Sequence, residues 1–233
     1  MNILLTGANG YIGRRLKHRL LKEETIHLRL FVTHKQTLST QERVEIVQGN
    51  TFDTQSLDRA LEGIDTAYYL IHSMASDNYR ELDRKSAQNF LDASIKAGVK
   101  RIIYLGGLGE KKSASEHLLS RIETGEILSS RPDAIQTLWF RAGVIIGSGS
   151  ASFEIIRHLV EKLPFMITPK WVNTLCQPIS QKDVIEYLAL AATVPTPQNV
   201  MIDIGSETMS YKDLLMGYAN AVGLERTLIP VPF

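Results

Sequence analysis

The chain has 233 residues, 44% of them hydrophobic, with 22% charged and a formal net charge of +1. That length supports one core, or one core with a small lobe, burying roughly 70–75% of the unfolded surface. The even charge excludes a nucleic-acid footprint, since Arg14-Arg15 and Lys111-Lys112 are the kind of short pair any surface carries, and the lone Cys176 excludes an internal disulfide.

The pattern alternates strand and helix with short links, which predicts a parallel α/β sheet. Asn2–Thr6 is a short apolar run that stops at Gly7. With no basic lead, it reads as a first strand rather than a signal peptide or a membrane span, and a cytoplasmic location is expected. Ile12, Leu16 and Leu20 follow at helical spacing. His27–Thr33 is the second strand, Val44–Gln48 the third, and Asp53 caps a short helix through Leu61. Thr66–Ile71 reads as a fourth, buried strand. Asp77 opens a long helix with Leu82, Phe90, Leu91 and Ile95 on its apolar face, closed by Gly98. Arg101–Leu105 and Ile135–Arg141 are strands five and six, joined by a helix from Ser115 to Ser129 that Arg131-Pro132 stops. After Gly149 the alternation loosens. Helices are expected at Ser152–Lys162, after the capping Ser180 through Ala192, and at Tyr211–Val222, with a strand at Val200–Ile204. The final Pro230-Val231-Pro232-Phe233 carries neither a capped helix nor a polar tail, which leaves a natural end and a truncation both open. The expected organisation is a doubly wound Rossmann-type core over residues 1–147. Residues 148–233 pack on it within one integrated domain and supply a substrate lobe and returning elements.

Gly7-Ala8-Asn9-Gly10-Tyr11-Ile12-Gly13 follows the first strand and opens the first helix. A phosphate loop must sit there. One glycine makes the tight turn, one lets backbone approach a pyrophosphate, and one lets helix pack on strand. The helix N-terminus then offers free N–H groups and partial positive charge.

The stretch from Thr6 to Gly13 resembles the Gly-x-x-Gly-x-x-Gly fingerprint of extended and atypical short-chain dehydrogenase/reductases. Later segments agree in order. Gly49-Asn50-Thr51-Phe52-Asp53 resembles the family's segment after strand three, Val99–Leu105 its strand five, and Arg141-Ala142-Gly143-Val144-Ile145-Ile146-Gly147 its segment after strand six. Gln177–Val184 resembles the pattern ending in Asp-Val, and Asp203-Ile204-Gly205 a later strand end. The likeness runs through essentially the whole chain and is strongest to sugar-epimerase-like and NmrA-like proteins. It implies a nicotinamide dinucleotide lying along the sheet edge. Its contacts would come from Gly7, Asn9, Gly10, Tyr11, Ile12, Gly13 and Arg14, from Thr33 and Lys35, and from Asn50 and Thr51. Leu70, Ile71 and His72, then Gly106 and Gly107, then Arg121, and finally Ala142, Gly143 and Val144 complete the set.

Val32-Thr33-His34-Lys35 lacks the carboxylate that binds the ribose 2′-hydroxyl in NAD enzymes, and Arg14 stands where a cation can reach a 2′-phosphate. Both features favour NADP over NAD. Asn50 replaces the usual acidic residue near the adenine and can still accept a hydrogen bond.

The family's redox set is Ser/Thr at the end of strand five and Tyr-x-x-x-Lys on the next helix. This chain departs at each place. Strand five ends Leu105-Gly106-Gly107-Leu108-Gly109, and the helix carries His117 and Arg121, four apart on one face. His117 is the candidate proton donor and Arg121 the candidate ribose contact. The alternative is that His117 is a partly exposed helix residue and that Arg121 pairs with a nearby glutamate. His72-Ser73, after strand four, is a second candidate at the edge where ligands of open α/β sheets gather. Tyr104 reads as core. Ser148, Ser150, Phe153, Trp171 and Gln177 are plausible substrate lining, with Phe153 and Trp171 better explained as core and Cys176 as a small buried residue. No cluster has metal-ligand spacing. Two functions stay open. One is an NADP(H)-dependent oxidoreductase or epimerase-like enzyme, acting on an unidentified small molecule as a monomer or homodimer. The other is a non-catalytic dinucleotide sensor or scaffold.

Overall fold

The computed structural model describes residues 1–34, 42–72 and 78–231. The expectations placed on Lys35, Ser73 and Asp77 lie outside the described residues. The first elements are β1 (Asn2–Thr6), α1 (Tyr11–Leu20), β2 (His27–Val32), β3 (Val44–Gln48), α2 (Thr54–Leu61) and β4 (Thr66–Tyr69). Then come α3 (Tyr79–Lys96), β5 (Arg101–Gly107), α4 (Glu116–Leu128), β6 (Gln136–Ala142), β7 (Ile145–Ile146), α5 (Ala151–Lys162) and β8 (Phe165–Thr168). The chain continues with β9 (Leu175–Cys176), β10 (Ile179–Ser180), α6 (Gln181–Ala191), β11 (Val200–Ile204), β12 (Met209–Ser210), α7 (Tyr211–Ala221) and β13 (Thr227–Pro230). Residues Met1–Arg141 with Ile185–Asp203 form one compact unit, and Ala142–Val184 with Ile204–Phe233 a second.

The first unit is built on a seven-stranded sheet in the order β11-β6-β5-β4-β1-β2-β3. The pairings from β3 through β2, β1 and β4 to β5 are parallel. Their sequences are near-continuous apolar runs because both faces are covered by helices, and Ile3, Leu4, Leu5, Ala67, Tyr68, Ile102 and Ile103 are fully buried. The order steps outward from β1 in both directions, so the switch point falls between β1 and β4, where such sheets open a crevice at their C-terminal edge. This is the doubly wound Rossmann-type fold expected from the sequence. Thr6 pins the crevice: its Oγ1 donates to the Tyr68 carbonyl at 2.9 Å and accepts from the Leu70 N–H at 3.0 Å. The returning segment 185–203 is held by Arg101, which donates to the carbonyls of Ala191 (2.6 Å) and Val194 (2.9 Å).

α3 shows why pattern alone misleads. Asn78 is its N-cap residue, and its inward stripe is Asp83, Ser86, Ala87, Phe90, Leu91, Ala93 and Ser94. Leu82, expected on the apolar face, is only half-buried, while its charged neighbour Asp83 is 3% exposed. Phe90 packs on Tyr69 with ring centroids 5.0 Å apart. At the helix end Gly98 takes φ +73° after the C-cap Ala97, the left-handed closure that glycine permits.

In the second unit α5 and α7 share a core of Val144, Ile156, Val160, Met166, Val172, Leu215 and Ala219. β7 pairs with β10 and β8 with β13 in parallel, and β9 with β12 antiparallel. A capping box between Ser210 and Asp213 starts α7. Trp171, expected in the core, is 58% exposed and meets Tyr211 edge-on at 6.1 Å. Phe153 meets Tyr218 in the same way at 5.3 Å. Cys176 is half-buried rather than buried, packed at the margin of this core. No helix among the described residues is long and apolar enough to cross a membrane.

Candidate cofactor and proton-transfer site

Each glycine of the β1–α1 loop has a separate steric reason. Gly7 turns at φ +66°, and a Cβ there would lie 2.5 Å from the Leu70 carbonyl oxygen. A Cβ on Gly13 would lie 2.1 Å from the Gly7 oxygen, so only glycine lets α1 start so close to the loop. Gly10 is different. Its backbone is extended (φ −71°, ψ 172°), it is exposed, and an added Cβ would meet only the Gly7 oxygen, at 3.1 Å. It leaves open space on the outer side of the loop.

α1 has no side-chain cap and no acidic residue in its first turn, and its first intrahelical bond runs from the Arg14 N–H to the Gly10 carbonyl at 3.1 Å. Helix geometry provides no intrahelical acceptor for the N–H groups of Ile12 and Gly13, so this end of α1 can take an anion. A dinucleotide pyrophosphate fits this cradle. Asn9 and Arg14 are exposed beside it, and the Arg15 guanidinium lies 4.0 Å over the Tyr11 ring.

The other strand ends supply the flanks. Thr33 and His34 are exposed after β2, with Gln48 Nε2 donating to the Thr33 carbonyl at 2.9 Å. Asn50 is exposed after β3 and its Oδ1 accepts from the Phe52 N–H at 2.9 Å, an Asx turn that fixes the amide. Thr51 points inward instead: it is buried, and its hydroxyl accepts from Ser86 at 2.7 Å. Leu70, Ile71 and His72 are half-buried after β4.

The two histidines, separated by 45 residues, are brought into contact. His72 Nε2 and His117 Nε2 stand 3.3 Å apart with ring centroids 4.6 Å apart. His72 Nδ1 faces Asp83 Oδ2 at 3.1 Å, and that oxygen also accepts from the buried Ser120 hydroxyl at 2.8 Å. Arg80, at the start of α3, ties that helix to α4 by donating to Glu116 (2.8 Å) in its first turn and to Glu123 (3.0 Å) in its middle. Ser115 caps α4 through the Leu118 N–H, setting His117 in the first turn. Tyr79 adds its ring 6.5 Å from that of His117. His117 is exposed, yet desolvation, then His72 and then Arg121 push its pKa below the ordinary imidazole value near 6.5, with Asp83 opposing.

Arg121, one turn on, donates to the Leu105 carbonyl at 2.7 Å, so it is fixed against the end of β5 rather than paired with a glutamate. Gly106 and Gly107 explain the missing hydroxyl at that strand end. An added Cβ would sit 2.6 Å from Trp139 Nε1 at Gly106 and 2.7 Å from Leu118 Cδ1 at Gly107. Tyr104 is core, as read from sequence; burial pushes its phenol up to about 12, and its hydroxyl donates to the Arg121 carbonyl at 2.9 Å.

Ala142 ends β6 and is buried. In the second unit a Cβ on Gly143 would lie 2.2 Å from the Gln177 oxygen, and the Val144 carbonyl accepts from the Ile179 N–H at 2.9 Å. Ser150 is buried on the Ile145 carbonyl at 2.7 Å. Among the described residues no group of three or more His, Cys, Asp or Glu could hold a metal. A cavity of about 540 Å³ lined by Asn2, His27, Arg43 and Glu62 contains none of the candidate residues. Asp83 and Ser120 were missed from sequence. The signal for Asp83 was available: positions 83, 87, 90 and 94 share one helical face, and a carboxylate on a core stripe calls for a partner.

A glycine-turned loop feeding an uncapped helix at the switch point of a parallel sheet defines a dinucleotide-binding α/β protein. The family model described as NAD(P)H-binding matches residues 7–135, more than half of the chain, and the chain belongs to that family. Two curated relatives are similar over about half of the chain. One is a (4-alkanoyl-5-oxo-2,5-dihydrofuran-3-yl)methyl phosphate reductase of Streptomyces griseus, 28% identical over 120 residues, 51% of this chain and 39% of that protein. The other is the N-acetyl-alpha-D-glucosaminyl-diphospho-ditrans,octacis-undecaprenol 4-epimerase of Escherichia coli O157:H7, 33% identical over 112 residues, 44% of this chain and 31% of that protein. The matched part thus spans only about a third to two fifths of those relatives. Among solved structures, the Citrobacter sp. triphenylmethane reductase complexed with NADP(H) superposes with a TM-score of 0.79 at 19% identity. It covers 100% of this chain and 80% of that one. The resemblance to atypical short-chain dehydrogenase/reductases holds at the level of this family and fold.

Proposed function

We propose that this chain is an NADP(H)-dependent oxidoreductase acting on the carbonyl–alcohol pair of a small molecule, with His117 exchanging the proton. The carrying observation is the His72–His117 contact backed by a buried carboxylate at the C-terminal edge of the sheet. A protein that only sensed a dinucleotide would have no use for a buried ionisable group aligned on two imidazoles. When bound, the nicotinamide supplies hydride exchange. Gly7, Gly10, Gly13 and the N-terminus of α1 would hold its pyrophosphate, Arg14 a 2′-phosphate, and Arg121 the ribose next to the nicotinamide. His117 stands where the family has tyrosine, and its lowered pKa leaves it neutral at pH 7, able to take a proton from an alcohol. The reductase and epimerase relatives support a redox reading of either outcome, net or transient.

One observation favours the sensor reading: the glycines ending β5 leave no room for the family's hydroxyl. A panel of carbonyl and quinone substrates with NADPH, followed by absorbance, separates the two. On the best substrate His117→Ala is expected to lower turnover ~10²–10⁴-fold while NADPH affinity stays within about threefold. Turnover that survives both His117→Ala and His72→Ala refutes the assignment.

A further inference from the structure

We infer that Asp83 and His72 form a positioning relay that fixes the tautomer of His117 and leaves its Nδ1 as the proton-exchanging atom. The inference rests on the oxidoreductase reading above and concerns residues that the sequence pattern left unconnected.

Hydrogen-bond accounting carries the argument. Asp83 Oδ2 accepts from Ser120, and in the relay Asp83 acts as the carboxylate, which has only acceptor capacity to offer His72 Nδ1 as well. His72 Nδ1 must therefore bear the hydrogen, and in the neutral ring Nε2 is then bare. The contact at 3.3 Å can form only if His117 Nε2 donates to it. Neutral His117 has one hydrogen, so its Nδ1 carries the free lone pair. A carboxylate 3% exposed sets the proton position two rings away.

The same order serves the chemistry. In the oxidative direction the proton of a substrate hydroxyl moves to His117 Nδ1. The O–H electron pair would close to the carbonyl, and an oxidised nicotinamide held at Gly7, Gly10 and Gly13 would supply the hydride acceptor. His117 becomes an imidazolium whose Nε2–H still donates to His72, and His72 Nδ1–H still donates to Asp83, whose negative charge compensates the new positive one. Among the described residues, the groups facing His117 are His72 after β4, Tyr79 and Asp83 on α3, and Arg121 on its own helix. Asp83 alone among them favours the imidazolium. Asp83 is thus a positioning residue acting through His72, and Ser120 holds its shared oxygen.

The test needs no turnover. Nitrogen-15 long-range correlation spectra of the full chain above about pH 8, assigned with His72→Gln and His117→Gln, report each ring's tautomer. We expect His72 protonated at Nδ1 and His117 at Nε2. In Asp83→Ala the Nδ1 proton of His72 loses its acceptor, so that ring should move to the Nε2–H form and the His117 pKa should fall further. Wild-type His72 protonated at Nε2 overturns the relay, and this spectrum decides even if Asp83→Ala does not fold. Kinetics separate the two readings. Wrong tautomers with His117-dependent turnover sink the relay and leave the oxidoreductase standing. Correct tautomers with turnover indifferent to both His117→Ala and His72→Ala sink the assignment of His117 as the proton exchanger instead, and no turnover on any substrate of the panel sinks the oxidoreductase reading. Where both hold, Asp83→Ala should lower kcat by about 10²-fold or more and move the acidic limb of the pH profile down, with the KM for NADPH nearly unchanged.

Discussion

Gly10 and Gly13 sit three residues apart in one loop, yet the structure assigns them opposite consequences. A methyl at Gly13 would meet backbone atoms alone: the Gly7 oxygen at 2.1 Å, the Gly7 carbonyl carbon at 2.8 Å and Ala8 Cα at 2.9 Å. None is the end of a flexible side chain, so α1 must shift off β1. Overpacking of this kind costs roughly 1–3 kcal/mol, or roughly 2–12 °C in Tm for a chain of this size. Gly10 has an ordinary φ of −71° and a single neighbour at 3.1 Å. Gly10→Val should cost only the poorer N-cap residue, about 0.5–1 kcal/mol or about 1–4 °C. Its side chain instead fills the space a pyrophosphate would occupy and removes at least one charge-assisted backbone contact. That is worth ~1.5–3 kcal/mol, or about 10–150-fold in Kd. Calorimetric titration with NADPH and a thermal melt of each variant read the two axes. Gly10→Val should lose binding with a Tm drop of about 1–4 °C, and Gly13→Ala should lower Tm by roughly 2–12 °C. Undiminished NADPH affinity in a folded Gly10→Val would refute the reasoning.

Arg14→Ala should weaken NADPH by ~10–150-fold and leave NADH within about twofold, because only the 2′-phosphate takes a charge-assisted bond there. Equal losses for both cofactors in the same titrations would count against this role. The His117 shift makes a prediction for stability. The folded state binds fewer protons than the unfolded chain between the lowered folded pKa and the ordinary value near 6.5. Its contribution is therefore full above 6.5 and is lost as the pH falls through the folded value. Between about pH 7.5 and about pH 5 the wild-type Tm should drop more than that of His117→Gln, and equal drops would contradict the shift.

Much of this architecture is written locally. Gly98, the Ser115 cap and the stop at Pro132 each act within one turn, so their helices end where residue chemistry says they should. The β1–α1 loop is equally legible, since the demand on Gly13 comes from atoms a few residues away, and that on Gly7 from Leu70, just past the sheet neighbour β4. The proton site is not local. Both histidines are visible as singletons, but their contact depends on how closely α4 approaches β5, which Gly107 permits and the Arg80 ion pairs between α3 and α4 reinforce. Asp83 was obscured because an apolar Leu82 next to it draws the helical face one position too early. Pairings such as Leu175–Cys176 with Met209–Ser210 are too short for any alternation to register, and Trp171 shows that a large aromatic in such a region need not enter a core.

The central claim, that His117 exchanges a proton beside a bound nicotinamide, is tested most directly by a crystal structure grown with NADPH. The account predicts the pyrophosphate on Gly10 and the N-terminus of α1, and His117 Nδ1 facing the nicotinamide C4 across a gap for one substrate carbonyl. Its oxygen would lie about 3 Å from Nδ1. A nicotinamide turned away from His117, or an Nδ1 already bonded to the protein, would contradict it.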